Sequence, residues 1–203
     1  MTVRLLCLRH AESENGVGGV AGALPMAELT GRGRAQAEES GLRLRGEGVG
    51  RVYASTAVRA RQTAEIVART LGLDDRVVLL PGMVEVGLGK AEGARSAAVR
   101  RRTAEVLRSW IVDGELGEAV ADGEDGHAVT ARVSAALTSI ARGHPGETVA
   151  VVGHVASLTT GLHALCGLGG RVWGAPLPYA TPFTVEWDGR AWRCDGWPAE
   201  CPA

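Results

Sequence analysis

The sequence predicts an α/β fold, a three-layer sandwich in which a mostly parallel central sheet carries helices on both faces. Short apolar segments alternate with amphipathic helical segments along most of the chain, an order typical of βαβ units. Residues 148–152 are continuous and rich in β-branched side chains, as expected of a buried parallel strand. Near the end, Asp188-Gly189 separates two strand-like segments, which predicts a C-terminal hairpin.

The first half of the chain begins with a short apolar segment that predicts a buried strand. Thr30 is a favourable N-cap for the first long helix. Pro81-Gly82 ends the third predicted strand. In order, this half contains a strand at 1–8, a glycine-rich loop at 15–22, a helix at 31–45, a strand at 51–54, a helix at 57–71 and a strand at 77–80.

The second half continues the alternation and then changes to the hairpin. It contains a helix at 97–112, an acidic glycine-rich loop at 113–126, a helix at 127–142, a strand at 148–152, a helix at 155–166 and hairpin strands at 183–187 and 190–194. A chain of 203 residues fits one domain. We therefore expect one domain over 1–203, with a small cap inserted around 85–126.

Composition excludes several classes of protein. The chain has 22 basic and 23 acidic residues and a net charge of −1, so a nucleic-acid or anionic-membrane partner is not expected. No apolar run reaches the ~18 residues of a transmembrane helix. None of its four cysteines, Cys7, Cys166, Cys194 and Cys201, forms a C-x-x-C pair, and we expect reduced thiols in a cytoplasmic protein. The sequence also allows a disulfide bridge between Cys194 and Cys201, and it allows a homodimer.

Polar side chains follow each predicted parallel strand. Because ligands bind at the carboxyl ends of such strands, we expect these side chains to converge at one edge of the sheet. They are Arg9 and His10 after the first strand, Ser55 and Arg59 after the second, Glu85 beyond the third and His154 after the fourth.

This set of side chains suits a phosphoryl group. Arginine presents a planar fork of donors for phosphate oxygens. A neutral histidine can act as a nucleophile, and a protonated one can hold an anion. A glutamic acid can protonate a leaving oxygen.

Six segments, in the expected order and spacing, resemble the histidine phosphatase superfamily, also called phosphoglycerate-mutase-like. Residues 8–13 read L-R-H-A-E-S and resemble its R-H-G-[ED]-[ST] signature. The others are L-T-x-x-G-x-x-Q-A at 29–37, S-x-x-x-R-A-x-Q-T-A at 55–64, E-x-x-x-G-x-x-E-G at 85–93, G-E with a later arginine at 123–132 and V-V-G-H at 151–154. The resemblance covers residues 5–158 and implies the same three-layer fold.

The resemblance also implies a role for each residue. It implies that His10 attacks phosphorus and that Glu85 exchanges a proton with the leaving alcohol and then with water. Arg9, Arg59 and His154 would hold the phosphate oxygens, which completes the implied catalytic set. The implied substrate-binding residues are Ser13, Asn15, Ser55 and Val155. No metal and no cofactor are implied.

Four positions depart from the family pattern. Ala11 and Val155 each replace a glycine that commonly follows a catalytic histidine, Gly16 replaces an asparagine, and Met26 replaces an aspartate. We expect these departures to cluster at the mouth of the pocket and to make substrate specificity unusual, while the phosphate chemistry is retained.

The predicted function is hydrolysis of a small phosphorylated metabolite through a phosphohistidine on His10. A phosphomutase or phosphotransferase with the same pocket is the alternative enzyme, and a non-catalytic phospho-ligand-binding relative is the alternative outside catalysis. The short cap favours hydrolysis. We expect residues 100–102, three arginines, to form a solvated helix face or to contact a second anionic group, and the four C-terminal tryptophans to cover the core.

Overall fold

A computed structural model describes residues 1–198 of the chain. Six strands form one sheet in the order β3-β2-β4-β1-β5-β6. The strands are β1 Val3–Arg9, β2 Val49–Ser55, β3 Val77–Leu80, β4 Thr148–Gly153, β5 Phe183–Trp187 and β6 Trp192–Arg193. Within residues 1–198, Cys7, Cys166 and Cys194 form no disulfide, whereas Cys201, and with it the alternative Cys194–Cys201 bridge, lies outside the described residues.

Six α-helices accompany the sheet in the described part of the chain. They are α1 Glu14–Val17, α2 Gly31–Arg43, α3 Val58–Leu71, α4 Ala97–Arg108, α5 Gly126–Gly143 and α6 Val155–Cys166. Thr30 caps α2 as predicted, its side chain accepting from the Gly33 N–H. The predicted loop at 15–22 overlaps α1, and the predicted helix at 97–112 ends at Arg108 and continues as a π-turn, Ser109–Asp113.

The pairing confirms a mostly parallel sheet with an antiparallel hairpin. Strand β4 pairs in parallel with both β1 and β2, and β2 pairs in parallel with β3. Strand β5 runs antiparallel to β1 and to β6. The carboxyl ends of β1, β4 and β2 are therefore neighbours at one edge.

Helices cover both faces of the sheet, as predicted. Along β1, Leu6 and Leu8 face a core built with α3, whereas Leu5 and Cys7 face a larger core built with α4, α5 and α6. This alternation is the period-2 pattern of a strand buried on both faces. Helix α2 packs on α3. No helix among residues 1–198 is long and apolar enough to cross a membrane.

The C-terminal tryptophans are divided between core cover and surface. Trp187 stacks on Trp192 in the hairpin, and Trp197 packs against Phe183, so these three cover the core as expected. Trp173 differs, because 39% of its surface is exposed.

Candidate active site

The ends of β1, β2 and β4 bring the predicted residues together. His10 follows β1, Ser55 ends β2, and His154 follows β4 as the N-cap of α6. The backbone N–H of His10 donates to the Gly153 carbonyl at 2.9 Å, which ties the ends of β1 and β4. The imidazole centroids of His10 and His154 are 5.1 Å apart.

The His10 ring has its two nitrogens in different roles. Nδ1 is 2.7 Å from the Ala11 carbonyl oxygen, and Nε2 accepts a hydrogen bond from Arg59 Nε at 3.1 Å. A carbonyl can only accept and a guanidinium can only donate. The proton therefore sits on Nδ1, and the lone pair of Nε2 faces Arg59. Only 5% of this residue is exposed.

His154 carries the opposite tautomer beneath Arg59. Its Nδ1 accepts from Arg59 Nη2 at 3.2 Å, so its proton is on Nε2 and is donated to Ser55 Oγ at 2.8 Å. The same Ser55 oxygen accepts from the Ala57 N–H at 3.2 Å. Ser55 thus orients His154, and both residues are fully buried.

Arg59 and Arg9 form a positive centre without a counter-ion. Within residues 1–198, neither guanidinium has a carboxylate within ion-pair distance. Arg59 is 1% exposed, and its remaining contact is Nη1 to the Leu24 carbonyl at 2.8 Å. Arg9 donates from Nη1 to the Leu177 carbonyl at 3.0 Å, and its Nε is buried without a hydrogen-bond partner. Unpaired buried cations are costly unless they receive an anion.

Burial, reinforced by this positive centre, keeps both histidines neutral. Burial lowers the pKa of His10 well below its ordinary 6.5, and the charges of Arg59 and Arg9 lower it further. Burial also lowers the pKa of His154 well below 6.5, with His10 and then Arg59 adding to the effect. A neutral His10 keeps its Nε2 lone pair available at neutral pH.

Glu85 lies at the N-terminus of α6. Its carboxylate accepts from the N–H groups of Ala156 at 3.2 Å and Ser157 at 2.9 Å, and from its neighbour Val86 at 3.0 Å. Free N–H groups at a helix N-terminus attract a carboxylate. These bonds hold Glu85 beside the seat formed by His10 and the two arginines.

A partly buried guanidinium positions the Glu85 segment. Arg132 of α5 donates to the backbone carbonyls of Gly82, Val84 and Glu85 and pairs with Glu124 at 2.7 Å. Burial acts to raise the pKa of Glu124, but hydrogen bonds from Arg132 and from the Gly87 N–H outweigh it, so this pKa lies below its usual 4.5. The predicted segment at 123–132 therefore clamps the loop that carries Glu85.

A cavity of about 260 Å³ opens above the seat. Seven predicted residues line it: Arg9, His10, Ser13, Asn15, Arg59, Glu85 and Val155. Ser55 and His154 are not among its lining residues and lie beneath it. Within the lining, Ser13 Oγ donates to Asn15 Oδ1 at 2.7 Å. No group of three His, Cys, Asp or Glu among residues 1–198 is arranged to hold a metal ion.

The four departures do not all lie at the mouth, so that expectation is wrong for two of them. Gly16 and Val155 line the cavity. Ala11 is fully buried in a small cluster with Leu29, away from the opening, and Met26 is 77% exposed and outside the lining.

Tyr179 is a cavity residue that the sequence did not reveal. Its ring lies 3.8 Å beneath the Arg9 guanidinium, and its hydroxyl would clash with a Cβ at position 16. The tyrosine therefore fills the space that a side chain at position 16 would enter. No local motif marks it, because it reaches the site through an isolated bridge to Arg9, followed by Ala180 at φ 49°.

Helix α4 presents one face to the cavity. Arg100, Thr103 and Leu107, spaced three and four residues apart, line it, as expected of one helix face. Arg100 is thus brought to the site, whereas the exposed His127 is not. The acidic loop at 113–126 contributes no lining residue, so only the first part of the predicted cap contacts the cavity.

Comparison with known sequences gives consistent results. A model of the histidine phosphatase superfamily (branch 1) matches residues 5–200. Phosphoserine phosphatase 1 of Hydrogenobacter thermophilus is 30% identical over 167 residues, covering 82% of this chain and 77% of that protein. A probable phosphoglycerate mutase GpmB of Citrobacter koseri is 28% identical over 175 residues, covering 85% and 79%. The chain is also 33% identical over 161 residues, 75% of its length, to the bifunctional protein Rv2228c of Mycobacterium tuberculosis but spans only 41% of that protein.

Two solved structures share the fold. Bacillus stearothermophilus YhfR superposes with a TM-score of 0.81 at 26% identity, covering 98% of each chain. The mycobacterial glucosyl-3-phosphoglycerate phosphatase Rv2419c complexed with VO3 superposes with a TM-score of 0.82 at 24% identity, covering 97% of this chain and 99% of that one.

Proposed function

The chain belongs to the histidine phosphatase superfamily, and we propose that it is a metal-independent phosphomonoesterase that works through a phosphohistidine on His10. The observation that supports this most strongly is the pair of guanidiniums of Arg9 and Arg59, which lack a counter-ion among the described residues; Arg59 donates to His10 Nε2, and Arg9 lines the same cavity. A dianionic phosphate supplies the missing charge and accepts the fork of donors. The substrate is a small phosphorylated metabolite.

The first chemical step transfers the phosphoryl group to His10. The Nε2 lone pair attacks phosphorus, the phosphorus–oxygen bond to the leaving group breaks, and Glu85 in its acid form gives its proton to the leaving oxygen. Nδ1–H stays bonded to the Ala11 carbonyl, which favours the developing positive charge on the ring. The Arg59 Nε–H, which donates to Nε2 in the unliganded site, shifts to a phosphate oxygen.

The second step returns His10 to its starting state. Water attacks phosphorus, the Glu85 carboxylate accepts its proton, and the nitrogen–phosphorus bond breaks to release inorganic phosphate. Arg9 and Arg59 stabilise the charge of both transition states. His154, hydrogen-bonded to Arg59 and to Ser55, lies beneath the cavity and orients Arg59 toward the phosphate oxygens.

Both phosphatases and a probable mutase occur among the relatives, and the cap supports hydrolysis over mutase activity. A mutase must hold a phosphorylated product and return the phosphoryl group to it. Of the cap residues that line the cavity, only Glu85 and Arg100 are charged, and the others include Val86, Leu88 and Leu107. This wall offers little to retain a second phosphate.

The rest of the proposal concerns location and partners. We propose a cytoplasmic enzyme, because no disulfide joins the cysteines of the described part of the chain, Cys7, Cys166 and Cys194. Its proposed partner is the small phosphorylated substrate, with no nucleic acid or membrane as a ligand; a homodimer is compatible with this function.

The test is phosphate release from 4-nitrophenyl phosphate and a panel of phosphometabolites in the presence of EDTA. We expect activity in the wild type and in His127→Ala, whose side chain is exposed away from the cavity, and none in His10→Ala. Vanadate, which mimics five-coordinate phosphorus, should inhibit. Activity that EDTA abolishes and a metal restores, or that survives in His10→Ala, would overturn the proposal.

A further inference from the structure

A second cavity, of about 230 Å³, lies beside the first. Leu107, Val155 and Ala156 line both cavities, so they form a common wall. Beyond that wall the second cavity is lined by Ile111, Thr159, Val172, Trp173, Gly174 and Pro176. None of its lining residues is charged, in contrast to the first cavity.

The common wall lies where the leaving group must emerge. Glu85 accepts hydrogen bonds from the Ala156 and Ser157 N–H groups, so the acid that protonates the leaving oxygen is fixed to the start of α6. Val155 and Ala156 are the first two residues of that helix. An alcohol that receives its proton from Glu85 therefore leaves the seat beside the wall that both cavities share.

The volumes of the two cavities also indicate that a substrate would extend into both. Each cavity by itself is below the roughly 300–1,000 Å³ usual for a small-molecule site, whereas the two together fall within that range. The first cavity lies over His10 and the two arginines, and the second adds apolar space next to it.

We propose that the second cavity binds the apolar leaving group of the substrate, which makes the substrate a phosphate monoester of a hydrophobic alcohol or phenol. The proposal rests on the proposed function, because Glu85 sets the position of the leaving oxygen. Thr159, the polar member of this lining, already donates its hydroxyl to the Val155 carbonyl at 2.6 Å. The cavity therefore offers a hydrocarbon surface.

Arg100 supports the competing hypothesis, in which the leaving group is anionic and binds this arginine. Its Nη1 donates to the Arg95 carbonyl at 2.7 Å and to the Gly19 carbonyl at 3.4 Å. It lies about two helical turns from Leu107 along α4, and it lines only the first cavity. A leaving group protonated by Glu85 would lie beside the apolar wall and not beside Arg100.

The experiment compares n-alkyl phosphates from methyl to octyl, whose leaving groups differ little in acidity beyond ethyl. We expect kcat/KM to rise about twofold to fourfold with each methylene until the cavity is filled. A matched series of ω-carboxyalkyl phosphates should show no such rise. Phosphate release that does not change with chain length would overturn the apolar subsite while leaving the phosphatase intact, and a rise with the carboxylated series alone would favour the competing Arg100 hypothesis.

Binding of alkylphosphonates, which are not hydrolysed, tests the subsite independently of turnover. Calorimetry should show octylphosphonate binding at least tenfold more tightly than methylphosphonate, with a negative heat-capacity change. Trp173→Ala should reduce this octyl-to-methyl ratio, and Leu42→Ala, an exposed apolar residue on α2, should leave it unchanged. Equal affinities would overturn the inference even if no substrate were turned over, and a complete absence of phosphate release with the chain-length preference intact would overturn only the proposed function.

Discussion

The floor and the wall of the active-site cavity are built on different principles. The floor, formed by Arg9, His10, Arg59 and His154, is polar and largely buried, and every side-chain nitrogen of His10, Arg59 and His154 has a defined partner. The wall, formed by α4 and the start of α6, is mostly apolar. Chemistry that must be preorganised is therefore held by short-range hydrogen bonds at strand ends, whereas recognition of the rest of the substrate depends on shape and hydrocarbon contact.

This difference also separates the effects expected of mutations. Changes in the floor should act on the phosphoryl group, which every substrate shares, and so lower activity toward all substrates by the same factor. Changes in the wall should alter the ratio between substrates. Glu85 lies at the boundary, because its carboxylate is held by α6 while it serves the leaving oxygen.

The largest effect is expected for Glu85→Gln with alkyl phosphates. Loss of the proton donor should lower kcat/KM by about 10²–10⁴-fold, because an alkoxide is a poor leaving group. With 4-nitrophenyl phosphate, whose leaving group needs no proton, formation of the phosphoenzyme should be much less affected. Equal losses in the phosphoryl-transfer step for both substrates, measured by rapid quench, would show that Glu85 is not the acid.

The next effect is expected for Arg59→Met, a change in the floor. Losing a preorganised donor to the transition state should lower kcat by about 10²–10³-fold. The fold-change should be the same for methyl and hexyl phosphate, which would sharpen the distinction between floor and wall. The control is Arg61→Met, on the same helix but exposed and paired with Glu65, which should leave kcat near the wild-type value. A substrate-dependent loss in Arg59→Met would break the distinction.

The free energy of unfolding should decrease as the pH is lowered below 6.5, because the folded floor holds its histidines neutral. The pKa values of His10 and His154 lie below the 6.5 of an unfolded chain. Above pH 6.5 neither state is protonated and their contribution is complete, whereas below 6.5 only the unfolded state gains protons until the folded pKa is reached. Two rings give a slope of at most about 2.7 kcal/mol per pH unit.

Urea unfolding between about pH 8 and pH 5 measures this slope above the range in which carboxylates titrate. His10→Ala should remove about half of the slope that the two rings contribute, and His127→Ala, which is exposed, should change nothing. Burial also lowers the pKa of the half-buried His163. This residue adds the same pH-dependent slope to the stability of every variant. A slope unchanged in His10→Ala would mean that this ring is protonated in the folded protein.

The same lowered pKa predicts the position of the acid limb of activity. His10 attacks in its neutral form, so kcat/KM for 4-nitrophenyl phosphate should begin to fall only well below pH 6.5 as the ring becomes protonated.

The smallest effect is expected for Tyr179→Phe, at the edge of the floor. The ring that lies against Arg9 stays, and only the hydroxyl beside Gly16 is lost. Because Tyr179 lines the cavity, we expect its hydroxyl to donate to an oxygen of bound vanadate, and losing that bond should weaken vanadate binding by about twofold to tenfold. Tyr53→Phe, whose hydroxyl is bonded to the distant His144, is the matched control. No change in vanadate inhibition of Tyr179→Phe would limit the tyrosine to packing.

The floor could be predicted from the sequence because its residues follow directly from strand periodicity. His10 and His154 come one residue after buried strands, and Arg59 lies in the first turn of the next helix. The antiparallel hairpin was also predicted, since Asp188-Gly189 is a local turn signal. Local patterns therefore placed the elements that carry the chemistry.

Tyr179 at the edge of the floor, and most of the residues around the second cavity, could not be predicted, because their positions depend on contacts between distant segments. Tyr179 reaches Arg9 across 170 positions through an isolated bridge, and Trp173 lines a cavity with Val155 and Leu107 from two other elements. Leu107 carries no signal that distinguishes a cavity wall from a core, whereas Val155 was predicted at the site only because it follows His154 in the family pattern. The short π-turn after α4 likewise interrupts a pattern that predicted one continuous helix.

The most direct test of the central claim is a rapid-quench experiment on Glu85→Gln with radiolabelled 4-nitrophenyl phosphate. Because the leaving group needs no acid but hydrolysis of the intermediate needs a base, we predict a burst of nitrophenolate close to one equivalent per site. The label should be retained on the protein, stable in base, labile in acid and located on His10 by peptide mapping. Turnover without a burst, or label on any other residue, would contradict the phosphohistidine mechanism.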